Sequence, residues 1–164
     1  MKAAALLLAI ALAAGGAVRA AERLDDTASP RSRVTPRVVL SDEGKPLITS
    51  RKPTRAMVQV GRVDYRLNTA RYAGRSARIY FVVPAQINGL RSPAGLRVEW
   101  RGGSAFAGGN GRPGDRQLVW SGVVPGPWIT ESLDLSFEVE LAQLQLQADG
   151  QFGFEPYFEI EIAP

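Results

Sequence analysis

An all-β fold, an antiparallel β-sandwich, is predicted for this chain by three observations. Apolar and polar residues alternate with period two in several runs, Gly and Pro punctuate those runs at short spacing, and no amphipathic helical pattern follows the first twenty residues. Sheets of half-buried strands bury their apolar faces against each other, which favours a sandwich. The varied length and burial of the runs favour a sandwich over a closed barrel.

Residues 1–20 read as a secretory signal peptide. Lys2 supplies the basic start, an apolar run extends from Ala3 to about Leu12 and continues through small residues to Val18, and Val18-Arg19-Ala20 places small side chains where a signal peptidase needs them. Gly15-Gly16 and Arg19 interrupt the apolar run well short of the roughly 20 residues of a membrane span. No cysteine follows for lipid attachment, so the expected product is exported, periplasmic or extracellular, and without a stable membrane anchor.

Residues 21–55 form an extended Pro- and Arg-rich arm, with Pro30, Pro36, Pro46 and Pro53 spaced along it. Within it Val34, Pro36, Val38 and Leu40 alternate with Thr35, Arg37 and Val39, so one side of an extended segment is largely apolar. Such a segment is suited to adding itself to a sheet edge, its own or a neighbour's.

The sandwich domain is assigned to residues 56–164. Val58 and Val60 share one parity, and Val63, Tyr65 and Leu67 the other, with Gly61 at the change of phase, the pattern of a strand with a β-bulge. Ala77 to Val83 is nearly continuously apolar and stops at Pro84, which predicts a central strand buried on both faces. Leu96, Val98 and Trp100 alternate with charged residues. Gly102 to Gly114 reads as a long glycine-rich loop, and Leu118 with Trp120 begins another strand. Leu133, Leu135, Phe137, Val139 and Leu141 alternate with Asp134, Ser136, Glu138 and Glu140. The last strand sets Phe152, Phe154, Phe158, Ile160 and Ile162 against Glu155, Tyr157, Glu159 and Glu161. The strand pattern is open to an immunoglobulin-like or a pilin-like topology.

Charge is divided along the chain. Beyond the signal, all eighteen basic residues lie at or before Arg116 with eight acidic ones, and eight acidic residues with no basic ones follow. Acidic strands set beside basic ones in one sheet account for this, since opposite charges across a strand pair are favourable. Contact between the two poles of different molecules is the rival account. The basic residues are not interleaved with stacking aromatics, and no nucleic-acid partner is expected.

The chemistry that the composition leaves open is narrow. With neither histidine nor cysteine, the usual zinc ligands, the thiol nucleophile and the commonest general base are missing together. The carboxylates of Asp134, Glu138, Glu140, Glu155, Glu159 and Glu161 fall in rows, not in the convergent set that calcium needs. No cofactor or metal is expected, and no catalytic residue is assigned. Gly109, Gly111 and Gly114 spell G-x-G-x-x-G, but the residues after them read as a strand, whereas a dinucleotide site needs a helix there. Trp100 and Trp120 are in phase with apolar neighbours and read as core. Trp128, in a Pro- and Gly-rich bend, is the candidate exposed aromatic.

The expected function is that of an exported, non-enzymatic binding or assembly module, such as a subunit of a surface or periplasmic assembly, with a protein partner or self-association through sheet edges. Val34, Val38, Leu40 and Trp128 are the candidate binding residues. The alternative is a secreted or periplasmic ligand-binding domain of carbohydrate type that uses Trp128 and the 102–114 loop.

Overall fold

The computed structural model describes residues 20–30, 38–145 and 152–163. Its strands are β1 (Glu22–Arg23), β2 (Val38–Ser41), β3 (Arg55–Asn68), β4 (Ser76–Val82), β5 (Leu96–Gly102), β6 (Gly109–Gly111), β7 (Arg116–Val123), β8 (Trp128–Glu140) and β9 (Tyr157–Ile162). They form two antiparallel sheets, of order β1-β9-β4-β7 and β2-β3-β8-β5-β6. The two face each other across one core, in a β-sandwich arrangement. Phe81 of β4 meets Trp100 of β5 with ring centroids 4.6 Å apart, and Tyr65 of β3 meets Phe158 of β9 edge-on at 5.0 Å. Among the described residues no helix is long and apolar enough to cross a membrane. The signal assigned to residues 1–20 lies outside the described residues except for Ala20.

β3 and β8 form the longest ladder. Val58 pairs with Phe137, Val63 with Leu133 and Leu67 with Ile129, so the two alternations turn their apolar residues to the same face. The register shifts between Gln59 and Gly61, as the change of phase predicts, and Gly61 has φ +87, a conformation that glycine adopts without strain. Without that bulge, Val58 and Leu67 would point to opposite sides.

β4 differs from its expectation. It is interior to its sheet, yet only one face is core. Ala77, Ile79 and Phe81 are buried on that side, whereas on the other Arg78 is exposed, Tyr80 half-buried and Val82 buried outside the main core. The Arg78 guanidinium stays in water, the Tyr80 hydroxyl donates to Glu161, and the Arg116 guanidinium lies 3.4 Å from the Tyr80 ring centroid. The final strand is also shorter than expected and begins only after Pro156, which has no N–H to offer a ladder. Phe152 and Phe154 precede it and pack on Phe137. Trp100 is core, but Trp120, on the outermost strand β7, is half-buried.

Both acidic rows have arginines beside them. On β8, Asp134 is opposite Arg62 of β3 and Arg101 of β5, Glu138 is opposite Arg97, and Glu140 is opposite Arg55. Arg55 makes its ion pair diagonally, with Glu138. On β9, Glu159 and Glu161 both bind Arg116, at 2.6 and 2.8 Å, and Glu161 also accepts the Tyr80 hydroxyl at 2.9 Å. The division of charge along the chain is thus matched strand by strand inside the sheets.

Candidate interaction surface

The arm contributes a strand to each sheet. β1 lies beside β9, with Glu22 opposite Ile160, and Leu24 is then buried in the core with its amide donating to the Phe158 carbonyl at 2.8 Å. The next residue crosses over: Asp25 bridges Asn68 at the end of β3, in the other sheet. β2 adds to the outer edge of β3, with Val38 opposite Gln59, Val39 opposite Val58, Leu40 opposite Met57 and Ser41 opposite Ala56.

Of the residues expected to bind, Val34 lies outside the described residues. Val38 and Leu40 share β2. Leu40 is half-buried beside Met57, which is 41 % exposed, and the pair lies on the solvent face of the sheet. Alternation showed that one side of this segment is apolar, but not which side would meet the core. Ser41 meets it instead, fully buried opposite Ala56, and its hydroxyl has no hydrogen-bond partner.

Trp128 opens β8 opposite Asn68, far along the sheet from β2. The residue is 38 % exposed, and the guanidinium of Arg66 lies 4.5 Å from the centroid of its ring. The arginine occupies one face of the indole, which leaves less of the ring for a stacking ligand. Trp128 and the β2 residues therefore do not form one site.

A shallow depression of about 320 Å³ lies where the arm strand joins the sheet. Leu40, Met57, Asp42, Gly44, Arg55 and Glu138 are among the residues that line it. Beyond it the 42–54 loop carries a short 3-10 turn, Leu47–Thr49, with Ile48 96 % exposed. A second depression of similar volume, lined by Glu22, Arg71, Tyr72, Arg75, Ile160 and Ile162, lies beside β1, where Arg71 pairs with Glu22 at 2.7 Å.

The glycine-rich segment is less a free loop than its composition implies. Gly109–Gly111 is a strand, Gly114 is a turn residue with φ +93, and β7 follows directly, so the G-x-G-x-x-G pattern has a strand where a dinucleotide site needs a helix. The segment before β6 is pinned by Glu131, a carboxylate only 3 % exposed on the core face of β8. Glu131 accepts the amides of Ser104, Ala105, Phe106 and Ser132 and the Ser104 hydroxyl. Burial alone would raise its pKa, but these donors outweigh burial and hold it below the ordinary glutamate value. Ala107 then donates to the Val119 carbonyl at 2.7 Å, so the pinned loop covers the middle of the β7 edge. Sequence reasoning missed Glu131, although its odd parity, shared with Leu133 and Leu135, marked it as inward-facing.

No protein-family model, curated protein or solved structure matches this chain.

Proposed function

We propose that this chain is an exported, non-enzymatic binding or assembly module. It works in the periplasm or outside the cell and engages a protein partner by β-strand addition through its N-terminal arm. The observation that carries this reading is the seating of β2: a strand from a proline-spaced arm completes a sheet edge through four paired residues. The same pairing made with the edge of a neighbouring molecule would join subunits without any new kind of contact. A pilin-like arrangement goes with this reading better than an immunoglobulin-like one. Its support is that β1, also from the arm, lies beside β9, the last strand in the sequence.

The absence of cysteine gives a clean test. Leu40 and Met57 are cross-strand partners on the accessible face, at a spacing a disulfide can bridge. Leu40→Cys and Met57→Cys are made as separate single variants, mixed and oxidised. A mixed disulfide dimer is expected if the arm strand exchanges between molecules. If the mixture stays uncrosslinked while the double variant closes a disulfide within one chain, arm exchange is refuted.

A further inference from the structure

We propose that a second copy of this chain docks at the β2–β3 corner, each copy inserting Ile48 into the Leu40–Met57 depression of the other. The inference takes from the assembly reading only that the partner is protein, and it has β2 paired within its own chain.

Ile48 is the most exposed large apolar side chain among the described residues, at 96 %. It sits on an ordered turn: the Thr49 amide and hydroxyl both donate to the Pro46 carbonyl, at 3.0 and 2.9 Å, and the Ser50 amide donates to Leu47 at 3.2 Å. An apolar side chain presented on a fixed turn loses little freedom when it is buried by a partner. The depression has the complementary character. Leu40 and Met57 form its apolar part, and a Cβ added at Gly44 would meet nothing within 4 Å, so that rim is open.

Charge favours this occupant. Arg51 and Lys52 follow the inserting turn, whereas the rim of the depression carries Asp42 and Glu138, the latter paired with Arg55, which leaves one acidic charge in excess there. Docking therefore brings basic residues of one copy towards acidic residues of the other. The position of the two features sets the symmetry. The depression is lined by the end of β2, Asp42, Gly44, the start of β3 and Glu138, the turn is 47–49, and the Leu40–Pro46 bridge ties them to one corner. A protrusion and a recess on the same corner can be satisfied reciprocally by one twofold axis, which closes at a dimer.

The test is sedimentation equilibrium of the purified protein across the micromolar range, beside Ile48→Asp and Met57→Asp. The wild type is expected to form a dimer, and each substitution to weaken it about tenfold or more. Because Ile48 stands in solvent, Ile48→Asp should leave the thermal midpoint unchanged when both proteins are diluted to monomer, which separates lost docking from lost folding. Mixed single variants Ile48→Cys and Met57→Cys should cross-link on oxidation. A wild type that stays monomeric, an Ile48→Asp variant that still dimerises, or growth past the dimer would each overturn the proposal. So would a monomer that binds phosphatidylglycerol vesicles through Ile48. Strand exchange is read separately by the Leu40–Met57 cross-link, so either idea can fail alone.

Discussion

The Phe106 amide donates a 2.9 Å hydrogen bond to the Glu131 carboxylate, tying the glycine-rich loop to the core face of the strand that runs through the middle of the larger sheet. Phe106 itself is buried against Phe158 of the opposite sheet. One carboxylate thus fixes a loop, a core side chain and a covered sheet edge together. Glu131→Ala would leave the buried Phe106 amide, and the part-buried amides beside it, without this acceptor, and a loss of about 2–4 kcal/mol is expected in urea denaturation.

The same residue sets a pH dependence. Its carboxyl titrates below the ordinary glutamate value of 4.5, so its contribution is complete above that pH and is lost as pH falls through its depressed folded value. The stability gap between the wild type and Glu131→Gln should therefore be constant near neutrality and narrow below about pH 4.5. Denaturation curves of both proteins at stepped pH measure this gap.

Gly102 has a steric role. A Cβ there would lie 1.6 Å from the Phe106 carbonyl oxygen, a backbone atom that the Glu131 contacts hold in place. Gly102→Ala is expected to cost roughly 2–4 kcal/mol, or to prevent folding. Gly126→Ala, where a Cβ meets nothing within 4 Å, serves as the control in the same melt.

Leu24 anchors the arm. Leu24→Ala should destabilise the whole domain by about 2–4 kcal/mol in a single transition, because the side chain belongs to the shared core. A two-step denaturation curve, with the arm released first, is the contrary outcome.

Ser41 runs the other way. Its hydroxyl is buried without a partner, so Ser41→Ala removes an unmet polar group and should be neutral or stabilising by about 1 kcal/mol in the same assay.

Local features were the legible ones. The bulge at Gly61, the inward set Leu133 to Val139 and the exposure of Trp128 follow from parity and turn chemistry in a few neighbouring residues. What escaped depends on distant partners. Arg66 covers Trp128 from another strand, the loop donors to Glu131 lie 25–27 residues before it, and Arg116 packs on the outward Tyr80 of an apolar run. The arm segment shows the limit most plainly. Its alternation was visible, but the face that meets solvent is set by the register of Leu40 against Met57.

The placement of β9 bears on how the molecule folds. It is the last strand in the order of the sequence, yet it is interior to its sheet, between β1 and β4. A chain still emerging from the ribosome therefore holds neither the partner of its first strand nor one neighbour of β4, and that sheet cannot close until Tyr157 to Ile162 have been made. Closing it joins Glu22 to Ile160, a pairing of large sequence separation, so folding should be slow for a domain of this size.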